Sequence, residues 1–123
     1  MELGREGELL VSRGNVTVVG DHDSVLDGGG ASRVLHVKGT GALTLLGVEL
    51  AGGEAGEGNG GGLLVEGTMA SVVMQGGRIW KSAARNGGAA AVAAGAQLVL
   101  HGVQIDACRA SLMGGGVAVR NGG

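Results

Sequence analysis

A glycine-rich motif followed by a short aliphatic run recurs every 27 residues, and this recurrence constrains the fold more than any other feature of the chain. Asn59-Gly60-Gly61-Gly62, Asn86-Gly87-Gly88-Ala89 and Met113-Gly114-Gly115-Gly116 precede Leu63-Leu64-Val65, Ala90-Ala91-Val92 and Val117-Ala118-Val119. An earlier copy, Gly28-Gly29-Gly30, leads into Val34-Leu35-His36-Val37. A second column aligns Val16-Thr17-Val18-Val19, Leu43-Thr44-Leu45-Leu46, Val72-Val73-Met74-Gln75 and Leu98-Val99-Leu100-His101. A third aligns Val48-Glu49-Leu50, Gly77-Arg78-Ile79 and Val103-Gln104-Ile105, with Gly47, Gly76 and Gly102 between the second and third columns.

Each unit reads as three short strands with period-2 alternation, joined by glycine bends. Such a unit cannot bury its apolar positions alone, but stacked copies share one continuous core. Strands stacked in register form parallel sheets with about 4.8 Å between rungs. The expected fold is therefore all-β: a parallel β-helix solenoid of about four coils. Its inward columns are Leu35/Leu63/Ala90/Val117, Val37/Val65/Val92/Val119, Val16/Leu43/Val72/Leu98, Val18/Leu45/Met74/Leu100 and Leu50/Ile79/Ile105. A leucine-rich repeat is excluded, because no Asn or Cys follows the leucine runs at its spacing. A helix over the Ala-rich stretch 83–96 is interrupted by Gly87, Gly88 and Gly95, each costing about 1 kcal/mol in a helix interior.

The expected organisation is a single β-helix segment over 1–123. It comprises an N-terminal coil at 1–30, coils at 31–62, 63–89 and 90–116, and the start of a truncated coil at 117–123. No capping helix is recognisable at either end, so the chain reads as incomplete. Its open terminal rungs are expected to self-associate end to end.

Val16-Thr17-Val18-Val19-Gly20-Asp21, Leu26-Asp27-Gly28-Gly29-Gly30 and Arg33-Val34-Leu35-His36-Val37 resemble the first coils of right-handed parallel β-helix proteins of the pectate-lyase-like superfamily. The later Gly-Gly-Gly coils resemble the repeats of polymorphic outer membrane proteins, and the resemblance spans nearly the whole chain. It implies right-handed winding and an extracellular or cell-surface location. The first residues, Met1-Glu2-Leu3-Gly4-Arg5, do not have the pattern of a signal peptide.

Composition narrows the function classes. With 29 glycines, no proline and Trp80 as the sole aromatic residue, the core must consist of Leu, Val, Ile, Met and Ala. Charged residues are 16% of the chain and the formal net charge is −2, so there is no electrostatic footprint for nucleic acid. The single Cys108 permits neither an intrachain disulfide nor a multi-cysteine zinc site. No apolar run approaches the roughly 18 residues of a membrane span.

The outward positions of the first column read His36/Leu64/Ala91/Ala118 and Lys38/Glu66/Ala93/Arg120. Enzymes of the resembled superfamily act on this face, and glycoside hydrolysis needs two carboxyl groups about 5–9.5 Å apart. No acidic pair occurs on it, and Lys38 with Glu66 reads as an exposed ion pair between rungs. Asp21-His22-Asp23, with Asp27 nearby, is the densest set of potential metal ligands, and reads as a polar turn. Glu54 and Glu57 lie in the longest loop. There Gly56-Glu57-Gly58-Asn59-Gly60-Gly61 fits G-x-G-x-x-G but precedes a strand instead of opening a helix, against a dinucleotide site. Asn59 and Asn86 either form a hydrogen-bonded ladder or occupy left-handed turn positions. His22, His36 and His101 are expected to be solvated, and Cys108 to be a free thiol or small filler. Asn15-Val16-Thr17 is a formal glycosylation sequon on a strand. Outward Val19 and Leu46, beside Thr44, Val73 and Val99, leave an apolar face for further chain or a partner to cover.

No catalytic, cofactor-binding or metal-ligating residue is assigned. The expected function is a non-catalytic stalk or interaction and adhesion surface of a larger extracellular protein, with a carbohydrate or protein surface as its ligand. The alternative is a scaffold part of a polysaccharide lyase or glycoside hydrolase whose active site lies outside this chain.

Overall fold

A computed structural model of the chain describes residues 9–20, 24–28, 33–55, 60–93, 95–113 and 117–119. Among them are thirteen strands and no helix: β1 (Leu9–Val19), β2 (Val25–Asp27), β3 (Leu35–Leu46), β4 (Glu49–Ala51), β5 (Leu63–Glu66), β6 (Ser71–Gln75), β7 (Arg78–Trp80), β8 (Ala83–Asn86), β9 (Ala90–Ala93), β10 (Gln97–His101), β11 (Gln104–Asp106), β12 (Arg109–Met113) and β13 (Val117–Val119). Every ladder between them is parallel. The chain winds as a parallel β-solenoid of about three turns.

The first and second columns merge into one seven-stranded sheet, because β1 and β3 each run through both faces without a break. The third column is the four-stranded sheet β11-β7-β4-β2. The register matches the aliphatic columns of the sequence. Leu35 pairs with Leu63 and Leu63 with Ala90; Leu43 pairs with Val72 and Val72 with Leu98; Leu50 pairs with Ile79 and Ile79 with Ile105. Leu35, Val37, Leu43, Leu45, Leu50, Leu63, Val65, Val72, Met74 and Ile79 are fully buried and form one continuous core. Leu26 extends the third column to the first rung through its pairing with Leu50.

Gly47, Gly76 and Gly102 mark the corner between the second and third columns, with φ of 68°, 69° and 66°. A Cβ on Gly76 or Gly102 would meet nothing within 4 Å. The backbone conformation, not space, therefore selects glycine there.

Several expectations are corrected. A fourth, short ladder exists beyond the three columns: β8 pairs with β12, and Glu54 forms a bridge to Ala83. Its strands, Ala83-Ala84-Arg85-Asn86 and Arg109-Ala110-Ser111-Leu112-Met113, share no aliphatic alternation, so the repeat does not reveal them. Val16, expected inward, is 38% exposed, because β1 has β3 as its only ladder partner among the described residues. Leu64 and Ala91, expected on the outer surface, are buried at 6% and 1% exposure. Backbone from the preceding glycine-rich turns lies against them. A Cβ on Gly60 would approach the Leu63 carbonyl oxygen to 2.2 Å, and one on Gly87 would approach that of Ala90 equally closely. Val117 and Val119 pair in register with Ala90 and Val92.

Candidate functional site

The outer side of the first column carries one polar contact. The Nε2 atom of His36 lies 2.5 Å from Glu66 Oε2, with 13% and 40% of the respective side chains exposed. The ladder pairs His36 with Leu64, so Glu66 is its diagonal neighbour two residues on, within reach of a long side chain. This corrects two expectations: Glu66 pairs with His36 instead of Lys38, and His36 is not solvated. Lys38 is exposed, as is His101.

The four-stranded sheet of the third column carries a denser polar network. Glu49, Arg78 and Gln104 occupy successive rungs, as do Ala51, Trp80 and Asp106. Trp80 donates its indole N–H to Glu49 Oε1 at 2.8 Å. Arg78 lies 3.5 Å from the same Glu49 oxygen and 3.8 Å from Asp106. Its guanidinium carbon is 4.4 Å from the centroid of the Trp80 ring, and Lys81 Nζ is 5.3 Å from that centroid. Charges thus run negative, positive, negative across three rungs, with the only aromatic ring of the chain held beneath cations. The Nε of Arg78 is buried with no partner.

On the second column the outward positions are Thr17/Thr44/Val73/Val99 and Val19/Leu46/Gln75/His101, in the register expected from sequence. Val19 is 71% exposed and Val99 50%, with Leu46 and Val73 partly exposed between them. The result is a parallel face on which aliphatic side chains meet water.

Cys108 is a free, half-buried thiol packed against the core. Its sulfur donates to the carbonyls of Asp106 and Ile79, at 3.3 and 3.6 Å. Burial pushes its pKa up, the Asp106 carboxylate adds to this, and a backbone hydrogen bond from Ser82 opposes it. Asp27 lies half-buried on β2 and Glu54 is exposed at the fourth ladder. Asp21, His22, Asp23, Glu57, Asn59 and Arg120, and the side chains of Asn86 and Ala118, lie outside the described residues. The sequon Asn15-Val16-Thr17 is on β1 with all three residues exposed. Among the described residues, no three His, Cys, Asp or Glu side chains are grouped to hold a metal ion. No helix among them is long and apolar enough to cross a membrane. No family model matches the chain, and no curated protein or solved structure shows significant similarity to it.

Proposed function

We propose that the chain is a non-catalytic β-solenoid segment serving as a stalk and interaction surface of a larger extracellular or cell-surface protein. The observation that carries this reading is the outer face of the second column, where Val19 and Val99 stand 71% and 50% exposed around Leu46 and Val73. Exposed apolar area on a sheet favours docking of another surface. The extracellular location and the right-handed, pectate-lyase-like winding rest on the resemblance of the glycine-rich coils. The outward positions of the first column carry Glu66, paired with His36, and no second acid, which supports a binding role over glycan cleavage.

Beads coated with the purified chain provide the test. They are expected to adhere to cell surfaces or to plates coated with mixed polysaccharides. The double variant Val73→Lys, Val99→Lys should lose adhesion without a change in melting temperature. Equal adhesion by the variant would sink the interaction face. Release of unsaturated oligosaccharides from a uronate polymer above a buffer blank would favour the enzyme-scaffold alternative.

A further inference from the structure

The corner between the third column and the fourth ladder repeats on three rungs. Ala51, Trp80 and Asp106 are ladder partners, and the residue after each, Gly52, Lys81 and Ala107, has φ of 64°, 52° and 52°. Two of these three left-handed positions are therefore not glycine. Two residues further on, the fourth ladder stacks Glu54, Ala83 and Arg109. The small Ala83 lies between two long charged neighbours, and a notch opens above it. The cavity is about 420 Å³ and is lined by Glu54, Lys81, Ser82, Ala83, Cys108 and Arg109, among others. That volume lies within the range of small-molecule sites.

The floor of the notch is satisfied internally. Ser82 Oγ accepts the Gly53 N–H and donates to the Trp80 carbonyl, both at 3.3 Å. The Cys108 thiol is directed to carbonyls of its own and the neighbouring rung. Recognition therefore falls to the charged residues of the lining, Lys81 and Arg109 with Glu54. Glu54 and Arg109 lie two rungs apart, about 9.6 Å along the axis, so the Arg109 end of the notch is separate from the Glu54 end, with Lys81 on the rung between. Lys81 Nζ reaches over the indole of Trp80, which ties this lining to the sole tryptophan.

We propose that the notch binds a small oxyanion, the carboxylate, sulfate or phosphate group of a small ligand, through Lys81 and Arg109. This site is separate from the apolar face of the second column and stands independently of the function proposed for it. An oxyanion drawn between the two cations also draws Lys81 away from the indole, so Trp80 fluorescence reports occupancy.

The test titrates the 123-residue chain with acetate, sulfate and phosphate in separate arms at constant ionic strength. It follows Trp80 emission and the amide resonances of Ala83 and Ala107. A saturable response with half-saturation on the order of millimolar is expected for at least one anion, and the arm that saturates lowest identifies the oxyanion class. Arg109→Gln should weaken it about tenfold, the loss of one charge-assisted contact, and Arg109→Lys should retain most of it. Arg85→Gln removes an exposed cation from β8 outside the notch and should leave the response unchanged. A linear, unsaturated response in all three arms would overturn the proposal. So would equal weakening by Arg85→Gln and Arg109→Gln, which would reduce the effect to general charge.

Discussion

Trp80 on one rung donates its indole N–H to the Glu49 carboxylate on the preceding rung at 2.8 Å, and Arg78 shares the same oxygen. Glu49 thus accepts for two side chains of β7, while Arg78 Nε already lacks a partner. Glu49→Gln keeps an acceptor for the indole and should cost less than about 1 kcal/mol, because the ion pair is partly solvated. Glu49→Leu leaves the indole N–H and the guanidinium short of acceptors and should cost about 1–3 kcal/mol. Thermal melting of the two variants checks this, and equal losses would show that charge alone matters.

Val65 is fully buried in a column between Val37 and Val92. Val65→Asp places an unpaired carboxylate in that column and should destabilise by more than about 4 kcal/mol or prevent folding. Its neighbour Glu66 points the other way, toward His36. Glu66→Ala removes one partly exposed contact and should cost about 1 kcal/mol or less. Similar melting shifts for the two would contradict the alternation of β5.

Ala107 adopts a left-handed φ of 52° where the corresponding residue two rungs earlier is Gly52. A non-glycine residue there costs roughly 1–2 kcal/mol, and glycine gives back about 0.5–1 through unfolded-chain entropy. Ala107→Gly should therefore stabilise the chain by roughly 0.5–1 kcal/mol. The reverse change at the other corner, Gly76→Ala with a similarly left-handed φ of 69°, should destabilise it by about 1 kcal/mol. Denaturant midpoints measure both signs.

The Cys108 thiol, its pKa raised chiefly by burial and then by Asp106, should resist alkylation at neutral pH. Its rate should climb only above the ordinary thiol range near about 8.5. The sign for stability follows from the raised folded value. The neutral thiol's contribution is complete below the unfolded pKa and is lost as pH rises through the folded one. Iodoacetamide labelling against pH, compared with a free cysteine peptide, measures the shift, and coincident profiles would refute it.

Leu98, Leu100 and Ile105 are only half-buried, although their ladder partners Val72, Met74 and Ile79 are fully buried. Each of β10, β11 and β12 has one ladder partner among the described residues. The isolated chain is expected to associate end to end through this rung. Sedimentation at tens of micromolar should show species larger than a monomer, and Leu100→Lys should shift them toward the monomer. A stable monomer for the unsubstituted chain would defeat the expectation.

The aliphatic columns were legible because stacking repeats one chemical demand at each rung, so Leu43, Val72 and Leu98 announce their register directly. The corner glycines Gly47, Gly76 and Gly102 were legible for the same reason. The fourth ladder was not, since Ala83, Ala84 and Ala110 serve a narrow corner and leave no hydrophobic period. Burial of Leu64 and Ala91 also escaped the pattern, because alternation places a side chain outward without saying what backbone then crosses it. Glu66 could reach Lys38 or His36 from the same face, and only the diagonal geometry decides between them. The oxyanion notch left one trace, Gly52 at the position later held by Lys81 and Ala107, and no sequence motif.

The corner bonds Gly20 N–H to Leu46, Gly47 N–H to Gln75 and Gly76 N–H to His101 join each rung to the next, so the ladders of the solenoid point along its axis. Tension applied to the two ends therefore loads a terminal strand bond by bond instead of shearing a whole sheet at once. The molecule should yield by peeling, at low and nearly constant force, with about 90 Å of extended chain released for each turn unwound. As a stalk it would act less as a rigid strut than as a reel, lengthening in equal increments under pull and rewinding on the turn that remains.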